Sequence, residues 1–521
     1  MANVKQTLDR FSKAVERRRT WEPIWRECFD YTMPNRDGLN TSVAGQRRDD
    51  LIFDETAVVG VQEFASRMVQ GIVPNNTQWT RFEVPPEIRD QMGKDQADEA
   101  QSQYDKTTER TFSFIQESNF SSEAHESFLD LAIGTGNIVC EKGDLLQPLK
   151  FTSVPIHEAF LESGPFDRVE GQYRARMVRA QDIPVIWPHG TLPPTAAKLI
   201  ADGKPQERVK ILEATHRDWA DTTTECYYHA VIDVAAKSPI LQTEFKGIGS
   251  NPWISFRWAK GPGEVYGRGP VFNSLSAIKT ANLTVQLILE NADMAVAGMW
   301  QADDDGVINP HTINLVPGAI IPRATNSRGL EPLEAPGRFD IGDLVLREMR
   351  QNINKALYNE TLGAREGTPI TATEVAERMA ELSRQLGAVY GRLQAEFVFP
   401  IIKRVVYLLK QQGLIDLPTL NNQEIRLRAV SPMIRAQRNE DISQHINYAS
   451  VLGQLFGPAV VQTVINPTSF AAKMARWYEI DSEMLYTEEE RNQMAQETGQ
   501  AAADMAANGM DPAQTLRSLL P

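Results

Sequence analysis

The pattern that most constrains the fold is a succession of long helices between residues 266 and 412. In the first helix, apolar and small residues recur at alternating spacings of three and four: Leu275, Ile278, Asn282, Val285, Leu289, Ala292, Val296 and Met299. This spacing is typical of a helix that packs on its neighbours at a shallow angle. At 1.5 Å per residue it spans roughly 40 Å. The sequence therefore predicts a long helix with contacts along its whole length.

Two more helices follow after an insertion. Residues 300–337 are too rich in Pro, Gly and Asn for a helix and predict a compact insertion that contains a hairpin. A helix at 338–359 is predicted from an i+4 row of apolar residues: Ile341, Val345, Met349, Ile353 and Leu357. A loop rich in Gly and Thr at 360–370 leads into a very long helix with a predicted kink at Pro400. The order is helix, small β insertion, helix, loop and very long helix.

The half of the chain before these helices mixes both kinds of structure. Residues 54–71 predict a helix with Asp54 as its cap, and residues 101–133 also look helical. Between 136 and about 258 the period changes to two, which predicts strands separated by Pro and Gly turns. The chain is helical again from about 431 and becomes rich in Ala, Met and Gln after 487. We therefore predict an α+β fold that is predominantly helical.

The segment "RRRTWEPIWRECF" near the start predicts a helix with one apolar face. This face carries Trp21, Ile24, Trp25, Cys28 and Phe29, and Thr20 is the predicted cap. Such a face usually packs on a larger body. Membrane anchoring or nucleic-acid binding through residues 17–19, all arginines, is the alternative.

Composition excludes several classes of protein. There are 54 basic and 68 acidic residues, and a net charge of −14 makes the whole chain a poor candidate for tight, nonspecific binding to DNA phosphates. The three cysteines, Cys28, Cys140 and Cys226, are far apart and form no CxxC, which argues for a reducing compartment and against disulfides or zinc. No apolar run is long enough to span a membrane, so we expect a soluble, unsecreted protein.

Motifs that would indicate catalysis are missing from the sequence. It contains no Walker A, HExxH or GxSxG pattern. The acidic stretch at 303–306 does not fit a calcium loop, because positions one and twelve would be Gln301 and Thr312. A plain acidic turn is the simplest interpretation, with a contact to a cation or a partner as the alternative. We expect no enzymatic activity and no cofactor or metal.

Charged residues on the first two long helices have two possible roles. They are Lys279, Glu290, Asp293, Arg347, Arg350 and Lys355. Pairing between subunits and, for the cations, facing a polyanion both fit, and the spacing does not separate them. Arg174, Arg176 and Arg179, in the β region, fit a solvated strand face better than a DNA-binding patch.

The stretch at 251–282 resembles the portal proteins, or head-to-tail connectors, of short-tailed bacteriophages. The resemblance rests on "RW" followed by "PGEVYGRGP", namely Arg257, Trp258, Pro262, Gly263, Glu264, Tyr266, Gly267, Arg268, Gly269 and Pro270. Two more stretches, at 64–79 and 371–405, and "YTMP" at 31–34 are similar to the same family. Together these stretches represent most of residues 10–412.

This resemblance implies a ring, usually of twelve subunits, at one vertex of the capsid, with DNA threaded through its axis. The order of helices predicted above matches the family's order of parts. The implied parts are a wing at 1–265, a first stem helix at 266–299, a clip at 300–337, a second stem helix at 338–359, a tunnel loop at 360–370, a long kinked wing helix with the following segment at 371–430, and a crown with an Ala-rich tail at 431–521.

The resemblance also implies partners and candidate contact residues. The implied partners are the terminase, tail adaptor and tail tube proteins, capsid and scaffolding proteins, and double-stranded DNA bound without sequence specificity. Asp303, Asp304, Asp305 and His311 become candidates for docking at the clip, and Thr361, Arg365, Glu366 and Thr368 for the channel. Such a protein is made in the host bacterial cytoplasm and ends in the virion, without inserting into a membrane. An internal ejection or tail protein that binds membrane through amphipathic helices is the alternative.

Overall fold

The computed structural model describes most of the first 300 residues and separate parts of the remainder. The described residues are 4–36, 38–39, 50–89, 94–144, 146–220, 224–297, 300–302, 330–332, 339–359, 386–387, 389–416, 426–430, 432–456, 464–465, 470–471 and 474–475. Helices and sheets occur together, so the fold is α+β as predicted.

Helices make up the larger part of the described chain. They are α1 (Val4–Arg19), α2 (Glu22–Thr32), α3 (Thr56–Ile72), α4 (Pro86–Arg89), α5 (Lys94–Glu117), α6 (Phe120–Ile133), α7 (Ile183–Ile186), α8 (Pro194–Ala201), α9 (Pro270–Ala297), α10 (Phe339–Ala356), α11 (Phe399–Gln411) and α12 (Pro432–Phe456). Short 3₁₀ turns lie at Pro34–Arg36 and Ala180–Asp182.

In the part of the chain that the structure describes, the strands form four sheets, all with antiparallel pairing. The strands are β1 (Thr80–Glu83), β2 (Thr135–Lys142), β3 (Leu149–Ser153), β4 (Ala159–Ser163), β5 (Val169–Arg179), β6 (Arg208–Arg217), β7 (Cys226–Asp233), β8 (Ser238–Lys246), β9 (Trp253–Arg257), β10 (Trp300–Ala302), β11 (Leu330–Pro332) and β12 (Arg426–Ala429). The sheet orders are β4-β5-β6-β7-β8, β3-β2-β9, β1-β12 and β10-β11.

Period-two patterning predicted β2, β3, β5, β6, β7 and β9, and these strands are confirmed. It missed β4 and β8. β8 is the last strand of the five-stranded sheet, and only Ile240 on it is fully buried. An edge strand with mostly polar, exposed side chains has a weak alternation of apolar residues, which explains the omission.

One large core joins most of the helices to the three-stranded sheet. It contains side chains from α2, α3, α6, β2, β9 and α11, with Trp25, Trp79 and Phe397 among the largest. The five-stranded sheet has smaller cores of its own. One lies under α1, around Phe11 and Tyr173, and another under α7 and α8. The five-stranded sheet is therefore covered by its own helices.

Part of the prediction for the N-terminal helix is confirmed. Trp25, Cys28 and Phe29 are completely buried in the large core. Ile24, however, is 38% exposed. Thr20 does not cap α2, because its hydroxyl donates to the carbonyl of Arg17 at the end of α1. The apolar face therefore packs on a larger body, as expected, but it is narrower than the sequence predicted.

Arg18 does not face outwards, although it lies in the run of three arginines at 17–19. It is buried, and its guanidinium lies 3.8 Å from the ring centroid of Phe160. The same group donates to the carbonyl of His157 at 2.8 Å and pairs with Glu22 at 2.8 Å. Because its aliphatic stem is apolar and its charge is paired, an arginine can be buried in this way. Arg18 ties α1 and α2 to the five-stranded sheet.

The described helical residues before α11 end in an irregular turn near the predicted kink. A π-helical turn, Gln394–Val398, lies directly before Pro400, which is near the start of α11. Proline has no N–H to donate to the carbonyl four residues earlier, and a π turn is one way to accommodate that missing bond. Leu393 and Phe397, on either side of this turn's start, are buried in the large core.

The helices predicted at 266–299 and 338–359 correspond to α9 and α10, which pack on each other. We call α9 and α10 the helix pair. Ile278 and Asn282 of the predicted seam are buried, as are Ile353 and Leu357 of the predicted row. Leu289 is 49% exposed, so the seam prediction is wrong there.

Candidate functional site

The residues at 257–270, which carry the family resemblance, form the connection between β9 and α9. We call this segment the motif loop. Its backbone presses against the junction of α6 and β2, where the N–H of Gly267 donates to Thr135 Oγ1 at 2.8 Å and that of Gly269 to the carbonyl of Ile133 at 2.7 Å. A Cβ on Gly267 would collide with the carbonyl of Gly134. Only glycine permits this approach of two backbones.

Arg257 fixes the motif loop to the π turn before α11. It is 2% exposed, and its Nε and Nη2 donate to the two carboxylate oxygens of Glu396 at 3.1 and 2.6 Å. Its own backbone N–H donates to Glu396 at 3.0 Å, and Nη2 also reaches the carbonyl of Asp167. A two-pronged pair of this kind is among the stronger interactions available to a buried charge. It joins segments 139 residues apart in sequence.

Aromatic residues hold the two ends of the motif loop. Trp258 contacts Phe64 with ring centroids 5.1 Å apart, and Tyr266 contacts Trp25 at 4.9 Å. The hydroxyl of Tyr266 accepts the backbone N–H of Leu161 at 3.0 Å, and burial raises the pKa of Tyr266 to about 12. Tyr266 therefore remains a neutral packing residue at any physiological pH.

The exposed part of the motif loop is a tight turn closed by an ion pair. Pro262 and Gly263 are exposed, and Gly263 has a φ of 73°, a left-handed conformation that favours glycine. Glu264 accepts from Arg268 at 2.5 and 3.1 Å and from the N–H of Gly261. The hydrogen bond from Arg268 lowers the pKa of Glu264. Pro270 then begins α9, at the end where its missing N–H does no harm.

Asp54 connects the helix pair to α3. Its backbone N–H donates to the side-chain oxygen of Asn282 at 3.1 Å, and its carboxylate accepts from Arg350 at 2.9 Å and from the N–H of Thr56 at 2.8 Å. Burial alone would raise the pKa of Asp54, but the hydrogen bonds from Thr56 and Arg350 outweigh it, and the pKa is lowered. Asp54 thus accepts the first N–H of α3 and also holds one residue from each helix of the pair, but the predicted cap is one residue off, because Glu55 is the N-cap and makes no side-chain capping bond.

The six charged candidates on the helix pair do not form one cluster. Lys279 pairs with Glu27 of α2 at 2.7 Å, and Arg350 pairs with Asp54, so both are used within the subunit. Arg347 pairs with Asp343 on its own helix, and both are mostly exposed. The other three candidates, Glu290, Asp293 and Lys355, are exposed.

The outer face of the helix pair carries exposed leucines. Leu283 and Leu287 on α9 are 54% and 48% exposed, and Leu344 on α10 is 69% exposed. Leu289 is 49% exposed but lies eleven residues from Ile278 and points in nearly the same direction as that buried residue. Single exposed apolar residues need no explanation, but several large ones on one pair of helices indicate a surface that meets another protein.

The remaining candidates lie outside the described residues. They are Asp303, Asp304, Asp305, His311, Thr361, Arg365, Glu366 and Thr368. The two ends of the insertion between the helices are described, and they pair as the short antiparallel strands β10 and β11, with Trp300 opposite Pro332. The insertion therefore begins and ends side by side.

The part of the chain that the structure describes contains no group of three or more His, Cys, Asp or Glu residues that could hold a metal ion. In the same residues, no helix is both long and apolar enough to cross a membrane.

Arg174 and Arg176 are not solvated, since they pair with Glu158 at 2.8 Å and Glu213 at 2.7 Å and are largely buried. The prediction of a solvated strand face is wrong for these two residues, and their charges are neutralised within the sheet.

Comparison with known proteins assigns the family. Residues 4–485 match the family of the bacteriophage head to tail connecting protein. The chain belongs to this family. It is 22% identical over 517 residues to the portal protein of Escherichia phage T7, covering 94% of this chain and 90% of that protein. It is also 23% identical to the probable portal protein of Bordetella phage BPP-1, covering 87% and 83% respectively.

Two further similarities are weaker. The portal protein of Enterobacteria phage T3 is 22% identical over 302 residues, which is 55% of this chain and 56% of that protein. A chain in the neck of an empty gene transfer agent particle aligns over 80% of this chain and 91% of its own length, with 11% identity and a TM-score of 0.35. That score is too low to compare the two folds in detail.

The sequence did not reveal several residues that hold the motif loop, the helix pair and the neighbouring strands together. Glu396, Arg404 and the second role of Asp54 were not expected. Arg404 is buried and donates to the carbonyls of Cys140 and Ser250 at 2.9 and 2.7 Å. One available signal was Asn282, a polar residue at a seam position, because such residues usually have a specific partner. Glu396 carries no comparable signal in the sequence.

Proposed function

We propose that the chain forms a closed ring at one vertex of the capsid and serves as the portal through which double-stranded DNA enters and leaves. The family match over residues 4–485 carries this proposal. The exposed leucines on the helix pair support it, because an elongated two-helix layer with apolar outer edges suits a head-to-tail arrangement of identical copies. The expected ring has about twelve subunits, the number implied by the resemblance.

The parts of the ring follow from the order of elements. Residues 1–265 serve as the wing and α9 and α10 as the stem, with the insertion at 300–337 as the clip. The loop at 360–370 enters the channel, and the chain from 431 forms the crown. The motif loop then joins wing to stem, and its buried contacts make that joint rigid.

The channel should let DNA slide rather than hold it. A duplex carries about one negative charge per 1.7 Å, and each phosphate that a protein neutralises adds affinity that depends on salt. A net charge of −14 suits a conduit. We expect mostly acidic and neutral side chains along the channel, with isolated cations such as Arg365 making brief phosphate contacts near Thr361, Glu366 and Thr368.

The partners act at the two ends and the rim of the ring. The terminase docks during packaging, and tail adaptor and tail tube proteins dock afterwards at the clip, where Asp303, Asp304, Asp305 and His311 are candidate contacts. Capsid and scaffolding proteins meet the wing. The protein is structural rather than catalytic, is made in the host cytoplasm and becomes part of the virion.

The decisive experiment is the mass of the purified protein by light scattering, with negative-stain images of the same fraction. A ring of about twelve copies with a central hole is the expected result. A chain that stays monomeric at high concentration and with scaffolding protein present would contradict the proposal. Flotation with liposomes should leave the protein unbound, whereas strong binding would favour an ejection protein that acts on membranes.

A second experiment tests the clip. Replacing Asp303, Asp304 and Asp305 together with asparagine should leave rings intact and weaken docking of the tail adaptor or the terminase. The measurement is the yield of tailed, infectious particles in a complementation assay. Normal yields would remove these three residues from the docking surface and leave the ring proposal unchanged.

A further inference from the structure

The leucines on the outer face of the helix pair lie on its two opposite edges. Leu287 is nine residues from Ile278 on α9, and Leu344 is nine residues from Ile353 on α10. At 100° per residue, nine residues place each leucine about 180° around its helix from an isoleucine that is almost completely buried. Leu287 and Leu344 therefore both point away from the body. Leu344 is also two residues, about 200°, from Gly342, which faces α9, and Leu283 is five residues, about 140°, from Ile288, which faces α10. Leu283 and Leu344 therefore lie on opposite edges of the pair, and Leu287 lies next to Leu283 on the outer face.

The two edges are also level along the helices. A Cβ built on Gly342 would lie 3.3 Å from Cδ1 of Ile288, so these residues are side by side. Asn282 and Arg350 both hold Asp54, which sets a second matched level. Moving six residues back along α9, from 288 to 282, therefore corresponds to moving eight residues forward along α10, from 342 to 350. The two helices are antiparallel. On this scale Leu287 is level with Leu344.

We infer that Leu283 and Leu287 of one subunit pack against Leu344 of the next subunit in the ring. This inference rests on the proposed function, since it assumes the ring. Rotation about a ring axis keeps every residue at its own height, so two patches can meet only if they lie on opposite edges at about the same height. For stem helices that stand close to the axis, these leucines satisfy both conditions. Leu283 extends the patch by one turn, about 6 Å, which tolerates a modest tilt.

The charges around this patch agree with contact between copies rather than with DNA. The exposed residues nearest to Leu344 are Asp343 and Arg347, which pair at 2.6 Å, and Glu348 one turn further on. Glu290, one turn from Leu287, is exposed as well. Lys279 and Arg350 are already bound to carboxylates within the subunit. These exposed carboxylates disfavour a polyanion such as DNA at this patch.

Cysteine cross-linking tests this contact directly. The double variant Leu287→Cys/Leu344→Cys is assembled into rings and oxidised with copper phenanthroline, and the products are separated on a denaturing gel without reductant. We expect a ladder of covalent multimers that ends at the ring number. Each single variant should stay monomeric, because a head-to-tail contact never brings two copies of the same residue together. The native Cys28, Cys140 and Cys226 are buried and should contribute little.

A matched control places the cysteine on the same edge at another height. Ser276 is exposed and lies eleven residues before Leu287, which is nearly the same direction around α9 but roughly 16 Å lower. Ser276→Cys with Leu344→Cys should give no ladder, since a disulfide needs Cα atoms within about 7 Å. Rings that form normally but show no ladder with Leu287→Cys/Leu344→Cys, or show it only with the control, would overturn the contact and leave the ring standing. A wild-type chain that never forms rings would overturn the proposed function, and this contact with it.

Discussion

The two halves of α9 differ sharply although they belong to one uninterrupted helix. In the proximal half, residues 270–282, Val271, Ile278 and Ala281 are buried, and Asn282 is hydrogen-bonded to the segment before α3. In the distal half, from residue 283 onwards, Leu283, Leu287 and Leu289 are about half exposed. The proximal half is stabilised by its own subunit, whereas the distal half still has apolar surface to bury. The proximal half of α9 is therefore held rigidly on its own subunit, and the distal half has exposed apolar surface for contact with a partner.

The largest expected effect on stability is in the motif loop, which joins β9 to α9. Gly267→Ala should reduce the free energy of unfolding by at least about 3 kcal/mol, because the added methyl collides with the backbone of Gly134, which cannot move aside like a side chain. Urea unfolding followed by circular dichroism would measure this.

Gly263→Ala, in the same loop, is the matched control. A Cβ there meets nothing within 4 Å, so only the left-handed backbone is strained, at about 1–2 kcal/mol. Equal losses for the two variants would show that the close approach at Gly267 does not stabilise the joint.

The next effect comes from the buried ion pair. Glu396→Gln keeps the shape of the side chain but leaves the guanidinium of Arg257 buried without a carboxylate, which should cost about 3–5 kcal/mol. Asp343→Asn removes the partner of Arg347 at the distal end, where both side chains are mostly exposed, and should change stability by less than about 1 kcal/mol. Thermal or urea unfolding of both variants compares the two ends of the helix pair. A small loss for Glu396→Gln would mean that the motif loop is held mainly by its glycines and aromatics.

Acid should affect the five-stranded sheet before it affects the joint. Burial lowers the pKa of His216 to about 4, and the nearby Arg10 acts in the same direction, while Glu162 and Asp218 oppose it. Burial also lowers the pKa of His229 to about 4, with Arg404 adding to the effect. Between about pH 6.5 and pH 4 the unfolded chain binds protons that the folded chain does not, so stability falls as the pH falls. The loss for His216 should be on the order of 3 kcal/mol once the pH is near 4.

Unfolding at about pH 7 and about pH 5 measures this slope. His216→Gln should make the slope shallower, whereas His189→Gln, at an exposed position, should not change it. The Asp54 tie behaves differently. Because its pKa is lowered, its contribution is present above the usual carboxyl range and is lost only as the pH falls below about 4. A slope that His216→Gln leaves unaltered would show that His216 is not protonated on unfolding in this range.

The contrast between joint and outer end also shows what could be predicted from the sequence. Periods of two and of three to four located most strands and both helices of the pair, because burial of one face leaves that mark locally. The helix predicted at 54–71 corresponds to α3, on which Val61, Phe64 and Met68 are all completely buried. The motif loop was found because of its similarity to a family, although nothing in its composition says which backbone it touches.

What the sequence could not show is which distant residues meet. Arg257 and Glu396 are far apart along the chain. Arginine and glutamate are usually exposed to solvent, so neither residue type signals a buried pair. Arg18 is likewise of a type usually found at the surface, and its burial depends on the ring of Phe160 and the carbonyl of His157. Long-range pairs of charges depend on how the elements pack together, which local periodicity does not record.

The smallest expected effect on the stability of the subunit is in the distal half of α9. A pair of substitutions on this helix compares the two halves directly. Ile278→Ala removes buried atoms and should cost about 2–4 kcal/mol, whereas Leu287→Ala, half a turn away in direction on the same helix, should change the stability of the monomer by less than about 0.5 kcal/mol. Both are measured by urea unfolding of the monomer fraction. The order should reverse for assembly, where Leu287→Ala raises the protein concentration needed to form rings and stable Ile278→Ala monomers assemble normally. Monomer stability that depends on Leu287 as strongly as on Ile278 would mean that the distal half is already packed within its own subunit, and the difference between the two halves would not concern assembly at all.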